Sequence, residues 1–348
     1  MKRDASLMSL STLTQLLNEG QSTYVCYDLG RLVQPISNDD FAAIEQQQQP
    51  YPYPVQGHAC FAIVFWPKLA TTEQDPYLWF LKFPVDERGL LEQSTVQEFI
   101  TQVITLLGQQ VTHALSAEQE KQLQQSPYLF TPTEAKRAAL HAKLSLRWQR
   151  SPSIHFELAQ TALQEPKHWQ QVGVQGLHDV CTRLESLPES AQAIANSFSQ
   201  YPAPLRQALA IALEHQQLPA ELSATFAADI QQHSASDARA DLLRSLARQP
   251  LTPQLVAAIE HVLAQPSSDE VIICCARLWE AFDPLAQPSV SLELLLDAVA
   301  TQEPAVFAAL ITDLLRLPNL RPHVLVMLRR DDLSQQLRQA WQTFTGAN

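Results

Sequence analysis

The charged side chains best placed for chemistry sit where apolar runs end. Asp28 and Arg31 flank the glycine of Tyr27-Asp28-Leu29-Gly30-Arg31, and Asp86 and Arg88 lie in Lys82-Phe83-Pro84-Val85-Asp86-Glu87-Arg88-Gly89. Carboxylates and guanidiniums at strand ends are the raw material of a binding or acid–base site, provided that a base comes within reach of its proton. The spacing identifies no nucleophile or base to complete such a site, so the competing reading is a pair of solvated turns that mark the end of burial.

A second cluster is cationic. Lys136, Arg137, Lys143, Arg147, Trp148 and Arg150 fall on one predicted helix, and arginine interleaved with an aromatic ring suits phosphate binding or base stacking. An acidic protein would use the same cations. The chain carries 24 Lys+Arg against 36 Asp+Glu, a formal charge of -12, which repels a polyanion at long range and disfavours nucleic acid as a partner.

Metal and cofactor chemistry lacks a footprint. His58 and Cys60 alternate onto one strand face but no second ligand pair accompanies them, and His168 and His178 are too far apart for paired ligation from one helix, so both read as helix-surface histidines. The phosphate-loop, dinucleotide and nucleophile-elbow patterns do not occur, and no cofactor is expected. Five cysteines, Cys26, Cys60, Cys181, Cys274 and Cys275, form no C-x-x-C pair; adjacent Cys274 and Cys275 sit in an apolar run and read as packing residues.

The elements that must position these residues change character along the chain. In residues 1–125, Leu10, Leu13, Leu16 and Leu17 have helical spacing, and two extended runs around Gly30 read as a β-hairpin. His58 to Trp66 and Tyr77 to Phe83 are the densest aromatic and β-branched runs and read as central strands of an antiparallel sheet. Val96, Phe99, Ile100, Val103, Ile104, Leu107 and Val111 make a 3.6-residue stripe that would cover one sheet face. This is an α+β domain.

Residues 126–348 read as helix after helix, with prolines at 166, 188, 202, 219, 250, 266, 284, 304 and 318 marking the corners. Helix pairs recur at roughly 30 to 45 residues with no fixed consensus, which favours an all-α array of HEAT-like repeats over stricter repeat classes. Such arrays work by binding. A non-catalytic scaffold or adaptor whose partner is another protein is therefore the expected function; the alternative is an enzyme or small-molecule sensor with its site in the N-terminal domain near Asp28, Arg31, Asp86 and Arg88.

No run approaches the roughly 18 apolar residues of a membrane-spanning helix, and Met1 to Met8 has no apolar stretch of a secretory signal, so a cytoplasmic protein without membrane insertion is expected. Met8 serves as well as Met1 for the biological start. Three blocks, Ser9 to Leu17, Tyr27 to Arg31 and Trp79 to Asp86, together resemble an uncharacterised family of bacterial proteins, a domain of unknown function, over nearly the whole chain. The resemblance implies a bacterial setting and carries no activity, cofactor or catalytic residue.

Overall fold

Thr12 is extended and its hydroxyl accepts from the Gln15 amide at 3.1 Å, which starts helix α1 (Leu13–Glu19). The computed structural model describes residues 10–69, 75–108, 111–112, 116–234 and 236–346, so both candidate start methionines lie outside the described residues. After α1 come β1 (Ser22–Asp28), β2 (Gln34–Ile36), α2 (Asn38–Glu45), β3 (His58–Pro67), β4 (Tyr77–Pro84), α3 (Gln93–Leu107) and α4 (Ala117–Gln124).

The strands form an antiparallel sheet of order β2-β1-β3-β4. Cys26 pairs with Ile36 on one side and with Ile63 on the other, and Ile63 pairs with Trp79, so one register carries an apolar row across all four strands. Both runs expected to be central are strands, but only β3 has that place, beside β1. The correction is legible in the side chains: β3 is buried at every position from Ala59 to Phe65, whereas β4 alternates, with Leu78 exposed. The open edge of β4 is partly covered by a bridge from Leu129 to Leu81.

Helices close one face of this sheet. The predicted stripe appears on α3, whose Val96, Phe99, Ile100 and Val103 are buried with Phe61, Ile63, Phe65, Trp79, Leu81 and Phe83. Aromatic edges hold the centre: Trp79 and Phe99 meet edge-on at 5.6 Å, and Phe41 meets Phe61 edge-on at 5.4 Å. Glu45, at the end of α2, turns back to the start of α1, where its carboxylate accepts from the Leu13 amide at 2.5 Å and from the Thr14 amide at 3.0 Å. Two otherwise orphaned donors of that helix are thereby satisfied from 32 residues away.

The chain divides into two units, residues 1–132 with Arg316–Pro318, and residues 133–315 with 319–348. The second is helical: α5 (Glu134–Arg147), α6 (Phe156–Gln164), α7 (Val174–Thr182), α8 (Pro188–Ser197), α9 (Ala203–Leu213), α10 (Ala220–Gln232), α11 (Asp237–Ser245), α12 (Pro253–Ala264), α13 (Ser268–Arg277), α14 (Leu292–Ala300), α15 (Pro304–Leu314), α16 (Arg321–Met327) and α17 (Gln335–Gly346). The corners follow the prolines. Pro188, Pro253 and Pro304 occupy first-turn positions, where a missing N–H loses nothing, and Pro202 and Pro219 are N-caps.

Packing sorts these helices into two rows. One row runs α5, α7, α9, α11, α13, each packed on the next; the other runs α6, α8, α10, α12, α14. Gly176 shows how close the rows come. A Cβ there would stand 2.4 Å from the His155 carbonyl oxygen, so only glycine lets α7 pass the start of α6.

Candidate functional site

The charged residues of the N-terminal unit are absorbed by its turns. Asp28 is fully buried, accepting from the Gly30 amide at 2.7 Å and from the Tyr51 hydroxyl, and burial raises the Tyr51 phenol far above its usual value. Arg31 is also buried and donates to the Pro54 carbonyl at 2.9 Å. The loop carrying Pro50-Tyr51-Pro52-Tyr53-Pro54 is thus pinned from within, by Asp28 at Tyr51 and by Arg31 at Pro54.

Asp86 and Arg88 form a turn of their own. Asp86 accepts the Arg88 and Leu90 amides, each at 2.9 Å, and the Arg88 guanidinium closes on it at 2.9 and 3.0 Å while remaining mostly exposed. Burial pushes the Asp86 carboxyl upward, but the Leu90 amide and Arg88 together outweigh that and hold it below the ordinary aspartate value. His58 spends its Nδ1 on the Gln56 carbonyl at 2.9 Å. Among the described residues no group of three or more His, Cys, Asp or Glu is placed to hold a metal ion.

The cationic helix is α5. Arg137 and Arg147 are exposed and Lys136 and Trp148 half-buried, and the Arg150 guanidinium lies 5.4 Å above the Trp148 ring. Arg147 ends α5, and the same place recurs along its row: Arg183 follows α7, Glu214 follows α9, Arg244 lies in the last turn of α11 and Arg277 ends α13. Cations complement the negative end of a helix. Glu214 breaks the series and is held by its neighbours, accepting from Arg244 Nε at 2.5 Å and Arg277 Nε at 2.9 Å.

A polar core lies between these helix ends. Lys143 of α5 donates through Nζ to Gln216 Oε1 at 2.8 Å, and the rings of His178 on α7 and His215 stack with centroids 6.0 Å apart. His178 is 1% exposed and so is not the surface histidine expected from its helix; it faces the next helix of its row. Burial, and then Arg248, hold the Lys143 ammonium down to about 7. Burial lowers His178 to about 4 against the upward pull of Asp179, and His215 is lowered by burial and by the charges of His178, Lys143, Arg277 and Lys136.

Of the six residues of the cationic cluster, Lys143 lies in this core and Lys136 acts on it through its charge. Sequence reading put His178 on the surface and did not single out His215 and Gln216, because the core is assembled from three separate segments; the available signal was the recurrence of charged residues at the ends of successive helices of one row.

The far end of the array carries an apolar groove of about 440 Å³ lined by Ala300 of α14, Pro304, Phe307 and Ala308 of α15, and Ala340 and Phe344 of α17. Phe344 stacks on Trp341 at 5.5 Å and meets Phe307 edge-on at 6.3 Å. Glutamines 302, 336 and 339 form its polar rim, and no charged residue lines it.

Among the described residues no helix is long and apolar enough to cross a membrane. No curated protein and no solved structure matches the chain. One family model does match, over residues 8–345, and its description is Protein of unknown function (DUF3549). With nearly its whole length covered, the chain belongs to that family.

Proposed function

We propose that the chain is a non-catalytic scaffold or adaptor, a degenerate HEAT-like solenoid that holds an amphipathic helix of another protein. The observation that carries this reading is the uncharged groove between α15 and α17, open at the end of a two-row array. An apolar helical face fits such a groove by its i, i+3, i+4 anchors, and the glutamine rim supplies hydrogen bonds without demanding a charge. By contrast, Asp28 and Arg31 of the N-terminal unit are buried and engaged in holding a loop.

Recurring side-chain links support the repeat reading. Glu214 and Arg244 are 30 residues apart, Arg239 and Glu270 31, and Gln216 and Gln249 33. Units of this length are short beside the roughly 40 residues of typical HEAT repeats, and with no shared consensus the equivalence lies in the packing rather than in residue identity.

The test is a comparison of partners retained by the purified wild-type chain and by Ala308→Arg, which places a cation in the groove from a half-buried position. A partner held by the wild type and lost by a folded Ala308→Arg supports the reading. Equal retention by both, or none by either, contradicts it.

A further inference from the structure

Lys143 is a cation without a counter-charge. Its hydrogen-bond partner is the neutral Gln216 amide at 2.8 Å, no described carboxylate lies within ion-pair distance of it, and its ammonium has two more donors to place. An ammonium largely removed from water is costly unless it is paired or neutral.

Its neighbours show the same deficit. Neither ring nitrogen of His178 has a hydrogen-bond partner in the protein, nor does Gln216 Nε2, nor Thr182 Oγ1 one turn further along α7 on the side of His178. Buried polar atoms are paired in roughly 90% or more of cases. Here Gln216 is bonded to Lys143, His178 lies close enough to feel its charge, and Thr182 stands one turn from His178 on the same helix.

The surrounding carboxylates are already engaged. Glu214 is shared by Arg244 and Arg277 and lies 3.7 Å from His215 Nε2, Asp179 is paired with Arg183 at 3.5 Å, and the Arg248 charge acts on Glu280. Lys136, Lys143 and Arg277 all disfavour a positive charge on His215, and Arg248 does the same to Lys143. At Lys143 and His215 the neighbouring cations act together, whereas at His178 the Asp179 carboxylate outweighs Lys143.

We propose that Lys143, His178, Thr182 and Gln216 form a binding site for a phosphate group, presented by inorganic phosphate or by a phosphomonoester. Water would satisfy the hydrogen bonds but would leave the protonated form of Lys143 without a counter-charge. A carboxylate brings only two acceptor oxygens, whereas a phosphate group brings at least three to meet donors from the ammonium, the imidazole, the amide and the hydroxyl. A bound dianion also favours the charged forms that burial, before any neighbouring charge, disfavours at Lys143, His178 and His215. The site is separate from the groove read as the partner site, and the two fail or stand independently.

The experiment titrates the full-length chain at pH 7.5 with inorganic phosphate and, in a second arm, with glycerol phosphate, at ionic strength held constant with chloride. Binding is read by calorimetry and by the His178 imidazole resonances. The site predicts saturable binding in at least one arm, movement of the His178 signals, and a loss of affinity of about tenfold or more in Lys143→Met. Thr182→Val, a smaller change, weakens binding in the same direction and serves if Lys143→Met does not fold. Binding in one arm alone identifies the source. Absence of saturable binding in both arms up to about 10 mM, binding that chloride reproduces, or unchanged affinity in the folded variants overturns the proposal.

Discussion

Replacing Glu270 by glutamine isolates the charge that ties α11 to α13. Arg239, 2% exposed, places Nε 2.6 Å from Glu270 Oε1 and Nη2 2.8 Å from Oε2, and also donates to the carbonyls of Gln265 at 2.9 Å and His233 at 3.3 Å. Glu270 is fully buried and accepts the Ser267 amide at 2.7 Å as the acidic half of a capping box. Glutamine keeps both the size of the side chain and the cap, since it serves the same position in capping boxes. What it removes is the charge opposite a buried guanidinium.

Breaking such a pair from one side costs about 3–5 kcal/mol, and because the glutamine carbonyl still accepts one hydrogen bond the lower end, about 3 kcal/mol, is expected. Arg239→Met costs a similar amount, leaving Glu270 buried without its cation. The double variant removes both charges and leaves only neutral groups, the two carbonyls and the new glutamine amide, to re-pair, so about 2 kcal/mol is expected, well short of additive. Urea unfolding of the wild type and the three variants measures this, with a fall in Tm of about 6–12 °C for each single change. Single variants within about 1 kcal/mol of wild type, or additive effects, refute the reasoning.

Three further outcomes follow from the packing and titration of named residues. Gly176→Ala destabilises the array by about 1–3 kcal/mol despite alanine's better helix propensity, because the new Cβ meets the His155 carbonyl at 2.4 Å; chemical denaturation giving a stabilised variant contradicts this. His178 is held near 4 in the folded state while an unfolded histidine titrates near 6.5, so between these values the unfolded chain binds more protons. The array should therefore lose on the order of 3 kcal/mol as pH falls from about 6.5 to 4, and His178→Leu should flatten that slope in hydrogen exchange of α7. Glu45 behaves oppositely: burial raises it from 4.5 to about 7 against the hydrogen bonds it accepts from Thr14 and Leu13. Its contribution is complete below about 4.5 and is lost, on the order of 3 kcal/mol, as pH rises through about 7, so the protection of α1 relative to the intrinsic exchange rate should fall with rising pH in the wild type and not in Glu45→Gln.

The regular elements were legible where one segment carries its own period. The α3 stripe, the strand runs and the proline corners announce themselves because burial of one face imposes a local pattern. The place of β4 was not, because strand order depends on pairing between segments, although Lys82 interrupts its apolar run where β3 is unbroken from Ala59 to Trp66. His178 was misjudged for the same reason. Its helix neighbours make it look exposed, and only the packing of α7 against α9 buries it against His215.

Asp28 and Arg31 teach a related lesson. Polar residues around a glycine mark a turn in either reading, and what separates a site from a structural anchor is the partner, here Tyr51 and the Pro54 carbonyl, about 23 residues further along. The groove between α15 and α17 was invisible in sequence because it is shaped by what two helices leave uncovered.

The central claim is that the array works by holding another protein at its terminal groove. It is tested most directly by placing a photo-crosslinking residue at Gln339, on the groove rim, in cells of the native host, with a second at Arg88 on the exposed turn of the N-terminal unit. The account predicts a protein adduct from position 339 that disappears when Ala308→Arg is added to the same chain. An adduct from position 88 alone, or one from position 339 that survives Ala308→Arg, contradicts it.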